Sequence, residues 1–131
     1  MSQLPSDLKY TDTHLWVRSD GDGVYTLGIT DHGQSQLGNI YNIEQPNVGD
    51  ELDAGDECFV IDAEKTTVEM YSPLTGEIVE LNDDLADSPA LINADAYDDG
   101  WIMKIKGADD SEFDNLLDAE DYLESIEEED E

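Results

Sequence analysis

The chain has 131 residues, enough for one domain with its own core, and 38% of them are hydrophobic. Thirty-five acids face five bases, a formal net charge of −30; nucleic acid and anionic membranes are poor partners for it, because binding either would add like-charge repulsion. Cys58 is the single cysteine, which excludes an intrachain disulfide, and no apolar run nears the roughly 18 residues of a membrane span, so a reduced, cytoplasmic setting is expected.

Taken in chain order, 1–7 is polar, is unlike a signal peptide, and reads as a flexible start to a single domain covering 1–131. His14 to Arg18 alternates like a strand and runs into Ser19-Asp20-Gly21-Asp22-Gly23, a hairpin turn rich in residues that tolerate positive φ. Val24, Leu27 and Ile29 continue the returning strand. Asp31 is placed to cap a short helix ending at Leu37, closed by Gly38. Ile40 to Ile43 predicts another strand, ending near Pro46. Val48-Gly49-Asp50 and Ala54-Gly55-Asp56 read as two turns.

Cys58 to Ile61 is a buried-strand run, interrupted by the polar hexad Asp62-Ala63-Glu64-Lys65-Thr66-Thr67 before Val68, Met70 and Tyr71 resume a strand. Lys65 is thereby expected at the tip of a hairpin. Ser72 to Gly76 predicts a turn and Glu77 to Leu81 a strand; Asn82 to Ala96 reads as irregular, with Pro89 breaking any helix. Trp101 to Lys106 predicts a strand with Trp101, Met103 and Ile105 on one face. Asp109 to Glu127 predicts one or two helices with an apolar stripe of Phe113, Leu116, Leu117, Tyr122, Leu123 and Ile126, and 127–131 an acidic frayed tail.

The five bases are Lys9, Arg18, Lys65, Lys104 and Lys106. Composition alone would make Lys65 a solvated lysine among Asp62, Glu64 and Glu69, of little energetic weight. Its position argues for more, since a lysine on a rigid turn presents an amine for modification and gives a flexible arm a fixed root. The histidines and the cysteine show no zinc spacing, and Asp20 with Asp22 matches a calcium loop only loosely. With so many acids, chance proximity explains any carboxylate pair, and no nucleophile motif stands out.

Along most of its length the chain resembles the H protein of the glycine cleavage system. The matching residues are Leu8-Lys9-Tyr10, His14-Leu15-Trp16-Val17, Gly28 to His32, Leu37-Gly38, Pro46 to Asp50, Lys65, Ser72 to Glu80, Leu91-Ile92-Asn93, Tyr97 and Gly100 to Lys106. The eight-residue step from Lys65 to Pro73 is the most specific piece. The resemblance implies a mainly β barrel-sandwich hybrid, the lipoyl/biotinyl carrier fold, with flanking helices. It implies a non-catalytic carrier with lipoic acid joined to Lys65 as an amide; the residues themselves lead to the expectation of no metal. In the family the arm accepts the aminomethyl group left by pyridoxal-phosphate-dependent glycine decarboxylase (P protein). It hands that group to the aminomethyltransferase (T protein) and is reoxidised by dihydrolipoamide dehydrogenase (L protein); lipoate ligase or lipoyl synthase supplies the lipoyl group.

Two departures stand out. Asp62-Ala63-Glu64 replaces the family's usual Glu-Ser-Val, so that Glu64 to Glu69 is nearer to the lipoyl domains of 2-oxoacid dehydrogenases. Leu15 stands where the family often has a glutamate associated with sheltering the loaded arm, and sheltering is therefore not carried over. The rival readings are a lipoyl relay for another pathway and an acidic binding protein with Lys65 unmodified. The charge itself leads to the expectation of a protein adapted to molar salt.

Overall fold

The computed structural model describes residues 8–11, 14–45, 47–95, 100–107 and 110–129. The expected flexible start, the strand end at Pro46, Ala96, Tyr97 and Asp109 lie outside them. Two antiparallel sheets dominate. The larger has the order β1 (Lys9–Tyr10), β2 (Leu15–Gly21), β3 (Val24–Ile29), β9 (Met103–Gly107), β8 (Gly76–Leu81), β5 (Glu51–Leu52). The smaller has the order β4 (Ile40–Glu44), β6 (Glu57–Ala63), β7 (Thr67–Tyr71). Short helices α1 (Asp31–Leu37), α2 (Asp84–Asp87), α3 (Leu91–Ala94) and α4 (Asp110–Asp114) connect and flank them, and α5 (Ala119–Glu129) is the last element among the described residues. The helix thus continues into the stretch expected to fray.

The β2–β3 turn forms as its glycines require: Gly21, Asp22 and Gly23 all have positive φ. The main core draws Leu15, Val17, Leu27 and Ile29 from one sheet and Ile43, Phe59, Ile61 and Met70 from the other. Each such side chain taken fully from water contributes about 1.5–3 kcal/mol. Cys58 is a buried member of this core, and its thiol is pushed up to about 12, chiefly by burial.

Strand β2 does not alternate as expected. Leu15, Trp16 and Val17 are all buried, because the sheet's outer face is covered too. There Leu8, Tyr10, Trp16 and Tyr122 form a second cluster, closed by Leu117, Ala119 and Trp101. Tyr10 and Leu117 exchange backbone hydrogen bonds of 2.7 and 2.9 Å, which seats the C-terminal helices on the sheet edge. Trp16 lies opposite Gly28, where any Cβ would overlap its indole. The expected helical stripe is divided accordingly: Phe113 and Leu116 pack on the main core, Leu117 and Tyr122 on the second cluster, and Leu123 is exposed.

Further boundaries differ from expectation, among them β9, which begins at Met103 rather than Trp101. The cap of α1 is Thr30, whose hydroxyl accepts from the Gly33 N–H; Asp31 is already helical, while Gly38 closes the helix at φ 79°. The stretch after Asn82 contains two single-turn helices, one on each side of Pro89. Half of the hexad around Lys65 is strand, since β6 reaches Ala63 and β7 begins at Thr67.

Candidate functional site

Lys65 is exposed at the bend joining β6 to β7. Asp62 and Thr67 are the last cross-strand pair, and the Ala63 N–H donates 3.0 Å to the Thr66 carbonyl, leaving Glu64-Lys65-Thr66 as the tip. Asp62 braces the base from both sides. One oxygen accepts from the Thr67 hydroxyl at 3.0 Å and the other from the Asn42 amide on β4 at 3.2 Å. Among the described residues, the Lys65 amine makes no ion pair.

The tip is also tied to the α1–β4 connection. The Lys65 N–H donates to the Leu37 carbonyl at 3.2 Å, and the Glu64 N–H donates to the Asn39 carbonyl at 2.8 Å. The Glu64 carboxylate accepts from the Asn39 N–H at 3.3 Å. Gly38 sits between these anchors in a left-handed conformation; a Cβ there would lie 3.2 Å from the Glu64 carboxylate and 3.6 Å from Lys65 Cε. Behind the connection stands Asn93 of α3. Its amide donates 2.8 Å to the Gly38 carbonyl and 2.8 Å to Gln34 Oε1, and its oxygen accepts from the Ile40 N–H at 2.9 Å. The sequence offers the lysine and its turn; it gives no sign of this backing, because Asn93 meets Gly38 and Ile40 across more than fifty residues.

A cavity of about 240 Å³ lies beside β7, lined by His14, Gly33, Gln36, Leu37, Val68, Glu69 and Met70. His14 is held at φ 72°, with Nδ1 2.7 Å from the buried Tyr122 hydroxyl and its ring 4.9 Å from that of His32. Leu15 is fully buried in the main core and does not line this cavity. A larger cavity of about 510 Å³ lies between β5, β8 and β9 and takes no residue from the lysine hairpin. Asp20 is engaged with Arg18, Thr26 and Lys104. Burial disfavours its charge, but hydrogen bonds from Thr26 and Arg18 and the charges of Arg18 and Lys104 outweigh that and hold the carboxyl below its ordinary value. Among the described residues, no group of three or more His, Cys, Asp or Glu is placed to hold a metal ion. No helix there is long and apolar enough to cross a membrane.

Comparison with known proteins agrees with this geometry. The model of the family described as glycine cleavage H-protein matches residues 8–129. The glycine cleavage system H protein of Pseudoalteromonas translucida is 51% identical over 128 residues, covering 98% of this chain and 99% of that protein. Its counterpart in Alteromonas mediterranea is 50% identical over 129 residues, covering 98% and 100%. The crystal structure of a glycine cleavage system H protein from Mycobacterium marinum superposes with a TM-score of 0.86 at 30% identity, over 95% of this chain and 99% of that one. A mainly β carrier sandwich matched from end to end in this way places the chain in the glycine cleavage H-protein family, the non-catalytic lipoyl carriers of the glycine cleavage system.

Proposed function

We propose that Lys65 is the lipoyl attachment residue and that the chain shuttles the aminomethyl group among the P, T and L proteins, in the cytoplasm, after loading by lipoate ligase or lipoyl synthase. The observation that supports this reading is an exposed lysine at the bend of a braced hairpin, in a chain of H-protein ancestry. The fit is that of a substrate for modification: the amine is free of ion pairs among the described residues, and the backbone on either side of it is anchored. When attached, the dithiolane supplies the redox and group-carrying chemistry.

What the chain contributes is presentation. The hairpin fixes the root of the arm, so that its free end searches a limited volume at a raised effective concentration. Joining the amine as an amide removes one of only five positive charges. Beside β7, a strand of the lysine hairpin, lies the cavity lined by Glu69, His14, Leu37, Val68 and Met70. The excess of acids supports adaptation to a salt-rich interior.

Peptide mapping of protein produced with lipoate and a lipoylating enzyme tests the assignment. The adduct is expected on the peptide holding Lys65 and nowhere in Lys65→Ala. An adduct mapping to Lys9, Lys104 or Lys106 would sink it.

A further inference from the structure

We infer that Asn93 is a positioning residue for the Lys65 arm, acting through the α1–β4 connection; this rests on the reading of Lys65 as the modified residue. The chain of contacts is continuous. Asn93 holds the Gly38 carbonyl and the Ile40 N–H, the two backbone groups that bracket Asn39. Asn39 holds Glu64 by its carbonyl and its N–H, and Leu37, one residue before Gly38, holds the Lys65 N–H. Asn93 also fixes Gln34, whose own carbonyl takes the Gly38 N–H at 3.1 Å.

One side-chain amide thus uses both of its protons and its oxygen on the segment that carries the lysine turn. No other type of side chain does this at the same length. Aspartate keeps only the acceptor, and alanine keeps neither function. The consequence is kinetic as well as structural. An enzyme that modifies the lysine must take hold of the turn that carries the amine, and a turn that is only part of the time in the competent conformation raises the apparent dissociation constant by the inverse of that fraction. Losing the clamp therefore appears in KM for the carrier rather than in kcat.

The test uses the whole chain, with hydrogen exchange at single amides and steady-state lipoylation by a lipoate ligase with ATP and lipoate. In the native protein the Glu64 and Lys65 amides are expected to exchange more slowly than the Thr66 amide. In Asn93→Ala they are expected to speed up about tenfold, while core amides such as those of Val17 and Leu27 change little, and KM for the carrier rises about 3–10-fold at unchanged kcat. Asn93→Asp retains the acceptor for Ile40 but sets a carboxylate oxygen against the Gly38 carbonyl and Gln34 Oε1, so it is expected to speed exchange at Glu64 and Lys65 at least as much as alanine does. Unchanged exchange at Glu64 and Lys65, or equal acceleration across the whole core with kcat lowered, overturns the inference. Should neither variant fold, the native protein decides alone: Glu64 and Lys65 amides as fast as a free peptide would also overturn it. Exchange does not depend on modification, so loss of the lipoyl assignment and loss of the clamp are told apart.

Discussion

Lys65 shows how little a functional side chain need do for stability. It is exposed, and what it gives its turn is its backbone N–H, beside those of Glu64 and Ala63. Lys65→Ala is expected to change unfolding free energy by less than about 0.5 kcal/mol while abolishing the lipoyl adduct. A denaturant titration read beside the mass spectrum checks both halves; a variant that unfolds would mean that the side chain, not the backbone, carries the hairpin. Cys58 is the converse case. Its thiol, pushed up to about 12 mainly by burial, holds almost no thiolate at pH 8, so alkylation should wait on unfolding. Rapid labelling of folded protein with iodoacetamide would contradict that burial. Gly28→Ala should cost about 1–3 kcal/mol, because its methyl would meet the Trp16 indole inside a closed cluster. Chemical denaturation measures it.

Elements are held together here by single polar residues that reach between strands. Asp20 at the end of β2 takes the Arg18 Nε at 2.9 Å, the Thr26 hydroxyl from β3 and Lys104 from β9 at 3.7 Å. Its carboxyl titrates below the usual value when folded, so the unfolded chain binds its proton first as pH falls. The stabilisation is therefore complete above the unfolded carboxyl value of about 3.9 and drains away as pH drops through the lower folded value. Asp20→Asn should lose about 0.5–1 kcal/mol at pH 7, and the gap from wild type should close only in that acid window. A gap that closed near neutrality would implicate another group. α5 depends on Tyr122 in the same way: its hydroxyl is 2.7 Å from both His14 Nδ1 and Thr30 Oγ1, and its ring stacks on Tyr10. Much of this level was legible in the sequence. The β2–β3 turn, the Gly38 closure and the hairpin at Lys65 follow from local chemistry, which residue types disclose. The capping role of Thr30 was hidden by the adjacent Asp31, an equally good cap on paper. The double burial of β2 was hidden because alternation assumes one wet face, and here the C-terminal helices cover the other. Asn93, Asn42 and Asn39 were invisible as supports, because partners twenty to fifty-five residues away leave no periodicity behind.

Across the whole molecule the deciding quantity is charge. Two of the five bases, Arg18 and Lys104, are spent on the single acid Asp20, so the other three are left to offset all the remaining acids. Cross-strand register makes one such conflict explicit: Glu51 of β5 lies directly opposite Glu77 of β8, which has Lys106 on its other side. Like charges directly opposite each other on paired strands are destabilising. At 20 mM salt the Debye length is tens of ångströms, and at 1 M it is about 3 Å, so this repulsion is felt in dilute buffer and largely vanishes in brine. The melting temperature should therefore rise steeply over the first few hundred millimolar KCl. Glu51→Gln should gain about 0.2–1 kcal/mol at low salt, an advantage that shrinks towards zero at 1 M as screening does for wild type what the substitution does directly. A gain that stayed constant with salt would assign it to strand propensity instead. A wild-type melting temperature that ignored KCl would remove the physical basis for reading the charge as salt adaptation.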